Sequence, residues 1–174
     1  MELTDASQLA TSLMSLHGLS EWTFAFDRGR RRAGACHHAK RTITLSAALT
    51  RLYDEATVRD VVLHEIAHAL VGARHGHDRV WREAACRIGA RPQARLSNDL
   101  PSVQAPWVGT CPGCGATKEL YRSPQRVTSC GKCSPTFCAD FILQWTRRGK
   151  KHALGRLYQR EYVALQRKGL IPRA

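Results

Sequence analysis

Apolar positions recur at two different periods along the first half of the chain, and those periods mark out the elements of an α+β fold. Leu9, Leu13 and Leu16 stand at helical spacing behind Thr4 and Asp5, which predicts a capped first helix ended by Gly18. Trp22, Phe24 and Phe26 alternate with polar or small residues, the period of a half-buried strand. Arg28–Gly34 reads as a basic turn. Thr42-Ile43-Thr44-Leu45 is a second, β-branched strand, and Ser46 is placed to cap a short helix through Leu49 and Leu52. Thr57 with Asp60 three residues on resembles a capping box. The helix behind it carries Val58, Val61, Val62, Ile66, Ala69 and Leu70 as its apolar stripe and ends at Gly72. Asp78 can cap a further helix whose inner face is Val80, Trp81, Ala84, Ala85 and Ile88, stopped by Gly89. Helices around a small antiparallel sheet are the expected architecture.

Composition adds limits. The chain has 174 residues, 43% hydrophobic and 24% charged, so an ordinary packed core is within reach. No apolar run approaches the roughly 18–20 residues that span a bilayer, and no membrane partner is expected. The start of the chain carries Glu2 and Asp5 instead of lysines, unlike a secretory signal or an Arg-rich transit peptide. Charge then changes the picture. Lys plus Arg is 27 against 14 acids, net +13, and the excess is concentrated: residues 111–174 hold 13 basic and 3 acidic side chains. A polyanion, with nucleic acid first among candidates, is the partner such a field attracts. Pro92, Pro101 and Pro106 punctuate the stretch from Gly89 to Thr110, which reads as a connection between two parts. The expected organisation is 1–100, 101–140 and 141–174.

The chemistry of the first part lies in His64-Glu65-Ile66-Ala67-His68, an H-E-x-x-H sequence inside the predicted long helix. Imidazoles four residues apart stack on one helical face and can reach one ion. Zinc accepts such ligands and lowers the pKa of its water to about 7, which leaves Glu65 to act as general base on that water and then as proton donor to the leaving amine. A third protein ligand is needed. The metzincin spacing would place Gly at 71 and His at 74, where the chain has Val71 and Arg74. Glu83 is close in sequence for a glutamate ligand, whereas His75 and His77 both stand between the two helices.

Leu63-His64-Glu65-Ile66-Ala67-His68-Ala69-Leu70 followed by Gly76-His77-Asp78-Arg79-Val80-Trp81 resembles the SprT-like (Spartan) zinc metalloproteases. In that family a ligand histidine follows the motif after a variable loop, with an aromatic residue four positions later. Trp81 stands at that offset from His77, and Arg79 from His75, so the resemblance makes His77 the third ligand and His75 the reserve. It further implies a minimal zincin-type protease domain whose members cut proteins attached to or tightly bound on DNA. Trp81 is expected in the core or as the floor of the site. His17, His37, His38 and His152 receive no role.

Cys111-Pro-Gly-Cys114 and Cys130-Gly-Lys-Cys133 form two Cys-x-x-Cys pairs, the spacing of a closed, structural zinc ribbon. The resemblance supports this too, since SprT-like proteins often carry such a ribbon. Cys36, Cys86 and Cys138 are read as free thiols. Two zinc ions, one catalytic and one structural, are therefore expected. Beyond the ribbon, Arg147, Arg148, Lys150 and Lys151 cluster, and Leu154, Leu157, Tyr158, Tyr162 and Leu165 recur at helical spacing between Arg156 and Arg160 and the basic residues that follow. A basic amphipathic helix would turn those cations to phosphates. Trp145, Tyr158 and Tyr162 could stack on unpaired bases or pack on the ribbon. The expectation is a monomeric DNA-directed zinc endopeptidase acting on DNA-bound proteins, in the cytoplasm and nucleoid of a bacterium or a phage-infected cell. Its rivals are a non-proteolytic nucleic-acid-binding ribbon protein and a general protease without DNA dependence.

Overall fold

In the computed structural model, which describes residues 1–97 and 99–172, the chain folds as two units, Met1–Val103 and Gln104–Ala174, each with its own apolar cluster. The first unit runs α1 (Leu3–Leu16), β1 (Thr23–Asp27), β2 (Gly34–His37), β3 (Thr42–Ser46), α2 (Ala47–Thr50), α3 (Glu55–Val71) and α4 (Arg79–Arg87). Its three strands lie in the order β1-β3-β2. The α+β class stands, but this sheet is mixed where an antiparallel one was expected: β2 runs antiparallel to β3, and β1 pairs with β3 in parallel. Two reversals cause it. The chain turns back after β1, turns again after β2, and slots β3 between them in β1's own direction.

Local chemistry explains most boundaries. Ser46 Oγ accepts the Leu49 N–H at 3.1 Å and starts α2 as expected. Asp54, and not the Thr57/Asp60 pair, caps α3: its Oδ1 accepts the Thr57 N–H at 2.8 Å. Thr57 is buried, and Asp60 instead pairs with Arg91 at 2.9 Å. The inward arc of α3 is also wider than one stripe, because Thr57, Leu63, Glu65 and Ala67 are buried along with Val58, Val61, Val62 and Ile66. The helix packs on α1, α4 and the sheet together, so several of its faces are covered. Leu70, counted in the expected stripe, is 42% exposed near the helix end. In α1 the buried face is Ala6, Ala10, Leu13 and Met14, while Leu16 is out in solvent; the two alanines let α1 come close to α3. In α4, Trp81, Ala84 and Ala85 are buried and Val80 is exposed.

The second unit contains β4 (Trp107–Thr110), β5 (Thr117–Leu120), β6 (Gln144–Arg147), β7 (Lys150–Lys151) and α5 (Arg156–Arg167), with an antiparallel sheet in the order β5-β4-β6-β7. Helix therefore begins only at Arg156, and the cluster Arg147–Lys151 is a hairpin. Its two-residue loop, Arg148-Gly149, has φ of 50° and 76°, the double positive φ that matches the twist of tight hairpins. Trp145 and Tyr158 are buried in this unit's core, which removes both as base-stacking platforms, and Leu157 is exposed, off the expected stripe. Glu161 ties α5 down, accepting from Arg126 Nε at 2.6 Å and from the Val127 N–H at 2.7 Å. Among the described residues no helix is long and apolar enough to cross a membrane.

Candidate metal centre

Helix α3 presents His64 and His68 on one face, one turn apart, and the loop after Gly72 brings His77 to meet them. The His77 Nε2 lies 3.0 Å from His64 Nε2 and 3.1 Å from His68 Nε2. One proton can bridge only one of those pairs, so nitrogen lone pairs face each other unless a cation stands between them. Tetrahedral zinc with bonds near 2.0–2.1 Å separates its nitrogens by about 3.3 Å, and the three rings fit that spacing. Burial, followed by the neighbouring rings, lowers both His64 and His68 to about 4, which keeps their lone pairs available at neutral pH.

Asp78 sets the two loop histidines apart. Its Oδ1 caps α4 by accepting the Trp81 N–H at 3.0 Å, and its Oδ2 lies 2.8 Å from His75 Nδ1. His75 is thus held by that carboxylate, outside the three-ring group, which consists of His64, His68 and His77. Trp81 is fully buried and lies against all three rings, with centroid distances of 4.7, 5.2 and 4.6 Å to His64, His68 and His77. It is the floor that fixes their orientation.

Glu65 points from α3 toward β2 and is only 7% exposed. Burial pushes its carboxyl up to about 7, against the pull of the Arg32 charge and of a backbone hydrogen bond from Cys36. Gly34 makes this placement possible: a Cβ there would stand 2.9 Å from both Cγ and Oε1 of Glu65. Three neighbours of Glu65 are residues that the sequence does not link to the site: Arg32 and Gly34, read as part of a basic turn, and Cys36, read as a free thiol. Nothing in the periodicity of residues 32–36 says that they meet the helix carrying Glu65. Cys36 is pushed up to about 12, by burial first and then by the Glu65 charge, so its thiol stays protonated. Its sulfur is 3.6 Å from His38 Nε2, and His38 in turn packs edge-on against Trp22.

In the second unit the sulfurs of Cys111, Cys114, Cys130 and Cys133 lie within 4.8 Å of one another. Cys111–Cys133 and Cys114–Cys130 are each 3.7 Å apart, close to the roughly 3.8 Å that four zinc–sulfur bonds of about 2.3 Å require. Backbone N–H groups of Cys133 and Lys132 aim at Cys130 and lower its thiol to about 7, the direction that favours thiolate and metal. All four positions are filled by protein, so such a site is closed to substrate. Arg147, Arg148, Lys150 and Lys151 are exposed on the β6–β7 hairpin, and Arg156 and Arg160 are exposed one turn apart on α5.

The profile of the SprT-like family matches residues 7–102, more than half of the chain and all of the histidine site. No curated protein matches the chain.

Proposed function

The chain belongs to the SprT-like family and so carries a metalloprotease-like domain, and from that premise we propose that it is a zinc-dependent endopeptidase acting on proteins bound or crosslinked to DNA. The observation that carries the reading is the convergence of three Nε2 atoms beside a buried glutamate on the same helix. Zinc bound to His64, His68 and His77 would supply a Lewis acid and a water of pKa about 7. The chain's own residues do the rest. Trp81 orients the ligand rings by packing against them, and Asp78 keeps His75 away from the site. Glu65 takes the proton of the attacking water, and once protonated returns it to the departing amine nitrogen. Its buried pocket favours both roles, because a carboxyl near neutrality exchanges protons readily at working pH.

A second zinc at the four cysteines would be structural and would hold the basic hairpin and α5 in place. The excess of cations in residues 111–174 supports recruitment to a nucleic acid, which would confine an otherwise unselective peptidase to DNA-bound targets. The test is cleavage of a DNA-binding protein with and without single-stranded DNA, by the parent chain and by Glu65→Gln. Cleavage that needs both DNA and Glu65, with metal content unchanged in the variant, is the expected result. Turnover in metal-loaded Glu65→Gln would remove the assigned base, and cleavage of casein at equal rate without DNA would make this a general protease.

A further inference from the structure

The segment after β1 reads Arg28-Gly29-Arg30-Arg31-Arg32, four guanidinium groups in five residues, all exposed, and the metal site uses none of them as ligands. We infer that this loop is a binding site for the phosphodiester backbone of nucleic acid, on the catalytic unit itself and separate from the basic hairpin of the second unit. The inference rests on the nucleic-acid part of the proposed function and names a surface for it.

Three observations carry it. First, the loop is a built shape and not a floppy basic run. The Asp27 carboxylate accepts the Gly29 N–H at 2.6 Å and the Arg32 guanidinium at 2.7 Å, and Ser46 Oγ donates to the Gly29 carbonyl at 2.6 Å. A Cβ at position 29 would stand 2.7 Å from Asp27 Oδ1, so only glycine lets the turn close this tightly. A loop whose backbone is already held in shape loses less freedom on binding than a mobile tail does. Second, acids are scarce along this stretch of chain. Asp27 is the one acid in the segment 22–53, and it is committed to Arg32 and to Thr44 Oγ1. Third, the loop adjoins the chemistry. Arg32 Nη1 lies 3.4 Å from the Gly34 carbonyl oxygen, and Gly34 is the residue packed on Glu65.

The occupant follows from the donors. All four cations are arginines, whose planar forks match phosphate oxygens pairwise, and no lysine is among them. Nucleic acid offers a fixed negative charge every 3–4 Å or so along each strand, a density that suits a run of arginines on one short turn better than an acidic peptide does. A strand held there would keep a protein attached to it beside Glu65.

Binding can be read without cleavage by working throughout in full-length, zinc-loaded Glu65→Gln. Anisotropy of a fluorescein-labelled oligothymidylate is titrated at several salt concentrations, for that parent, for added Arg28→Ser/Arg31→Ser, for added Arg28→Lys/Arg31→Lys, and for added Arg148→Ser/Lys150→Ser. The serine pair in the loop should flatten the slope of log K against log salt by up to about 1.4, two contacts at roughly 0.7 each. The lysine pair should keep most of that slope, and the hairpin pair should flatten it further and independently. An unchanged slope in the loop variant, with the parent binding normally, would overturn the inference and leave the proposed function standing. Binding abolished by the hairpin pair alone would overturn it too, as would loss of labelled polyglutamate binding in place of DNA binding. A parent that binds no oligothymidylate would instead remove the nucleic-acid reading itself.

Discussion

Around Glu65 single atoms decide what the site can do. A methyl group at residue 34 would meet Cγ and Oε1 of Glu65 at 2.9 Å and Cγ1 of Val61 at 3.1 Å, closer than carbon atoms tolerate. The helix cannot yield, because Val61 and Ile66 anchor it in the core, so the carboxylate has to move. Gly34→Ala should therefore cut kcat by about a hundredfold while metal content and folding are kept, since displacements near 1 Å at a reacting group cost that much. Wild-type turnover in this variant would show that Glu65 is not held where the chemistry needs it. The same burial sets a pH dependence. The carboxyl is pushed up to about 7 and acts as a base only after losing its proton, so activity should climb with pH on the acid side. A divalent cation among the histidines favours the carboxylate, and the apparent pKa of that limb in kcat/KM should accordingly lie at or below about 7. Activity that declined between pH 5 and 7 would contradict Glu65 as the base.

Among elements, α3 does most of the positioning, and its start rests on Asp54 rather than on the capping box that Thr57 and Asp60 suggest. Asp54→Ala should lower the melting temperature of the first unit by roughly 4–8 °C, and Asp54→Asn, which can still accept the Thr57 N–H, should lower it far less. Equal losses in the two would assign the effect to charge and not to the cap. This contrast also shows what kind of information the chain carries in its sequence. His64, Glu65 and His68 are related by four residues of one helix, so their spacing alone makes them legible. The choice of His77 over His75 needed the family resemblance, because it depends on the Asp78 side chain occupying His75, an interaction without periodicity. The parallel pairing of β1 with β3 left no local mark. The β6–β7 hairpin was hidden for another reason: Arg148 takes a left-handed φ of 50° that Asn or Gly would advertise, so the segment read only as charge. The contact of Gly34 with Glu65 joins residues 31 positions apart and has no signature at all.

On the scale of the whole molecule, the two candidate metal sites stand in different relations to the cores of their units. The core of the first is aliphatic and aromatic, built on residues such as Ile43, Leu45, Val62, Ile66 and Trp81, and its three candidate ligands are half-buried against Trp81. In the second, Cys111 and Cys130 are themselves core residues, packed with Trp107, Leu143 and Trp145. Structural zinc contributes on the order of 10–16 kcal/mol in small zinc-binding peptides, more than the few kcal/mol that a core of this size supplies unaided. Excess chelator at neutral pH should therefore unfold Gln104–Ala174 and leave Met1–Val103 folded but inactive. The signature is a red-shifted tryptophan emission, as Trp107 and Trp145 become wet, together with a protease-resistant fragment that ends near Val103. Point substitutions should separate the same two effects without chelator. His68→Ala should lower bound zinc from two ions to one per chain and keep both units folded, whereas Cys114→Ser should lose the other ion and the second unit's fold with it. A chain that lost the first unit with His68→Ala and kept the second with Cys114→Ser would reverse these assignments: the histidine site would be structural, and the cysteine cluster would be dispensable to the fold.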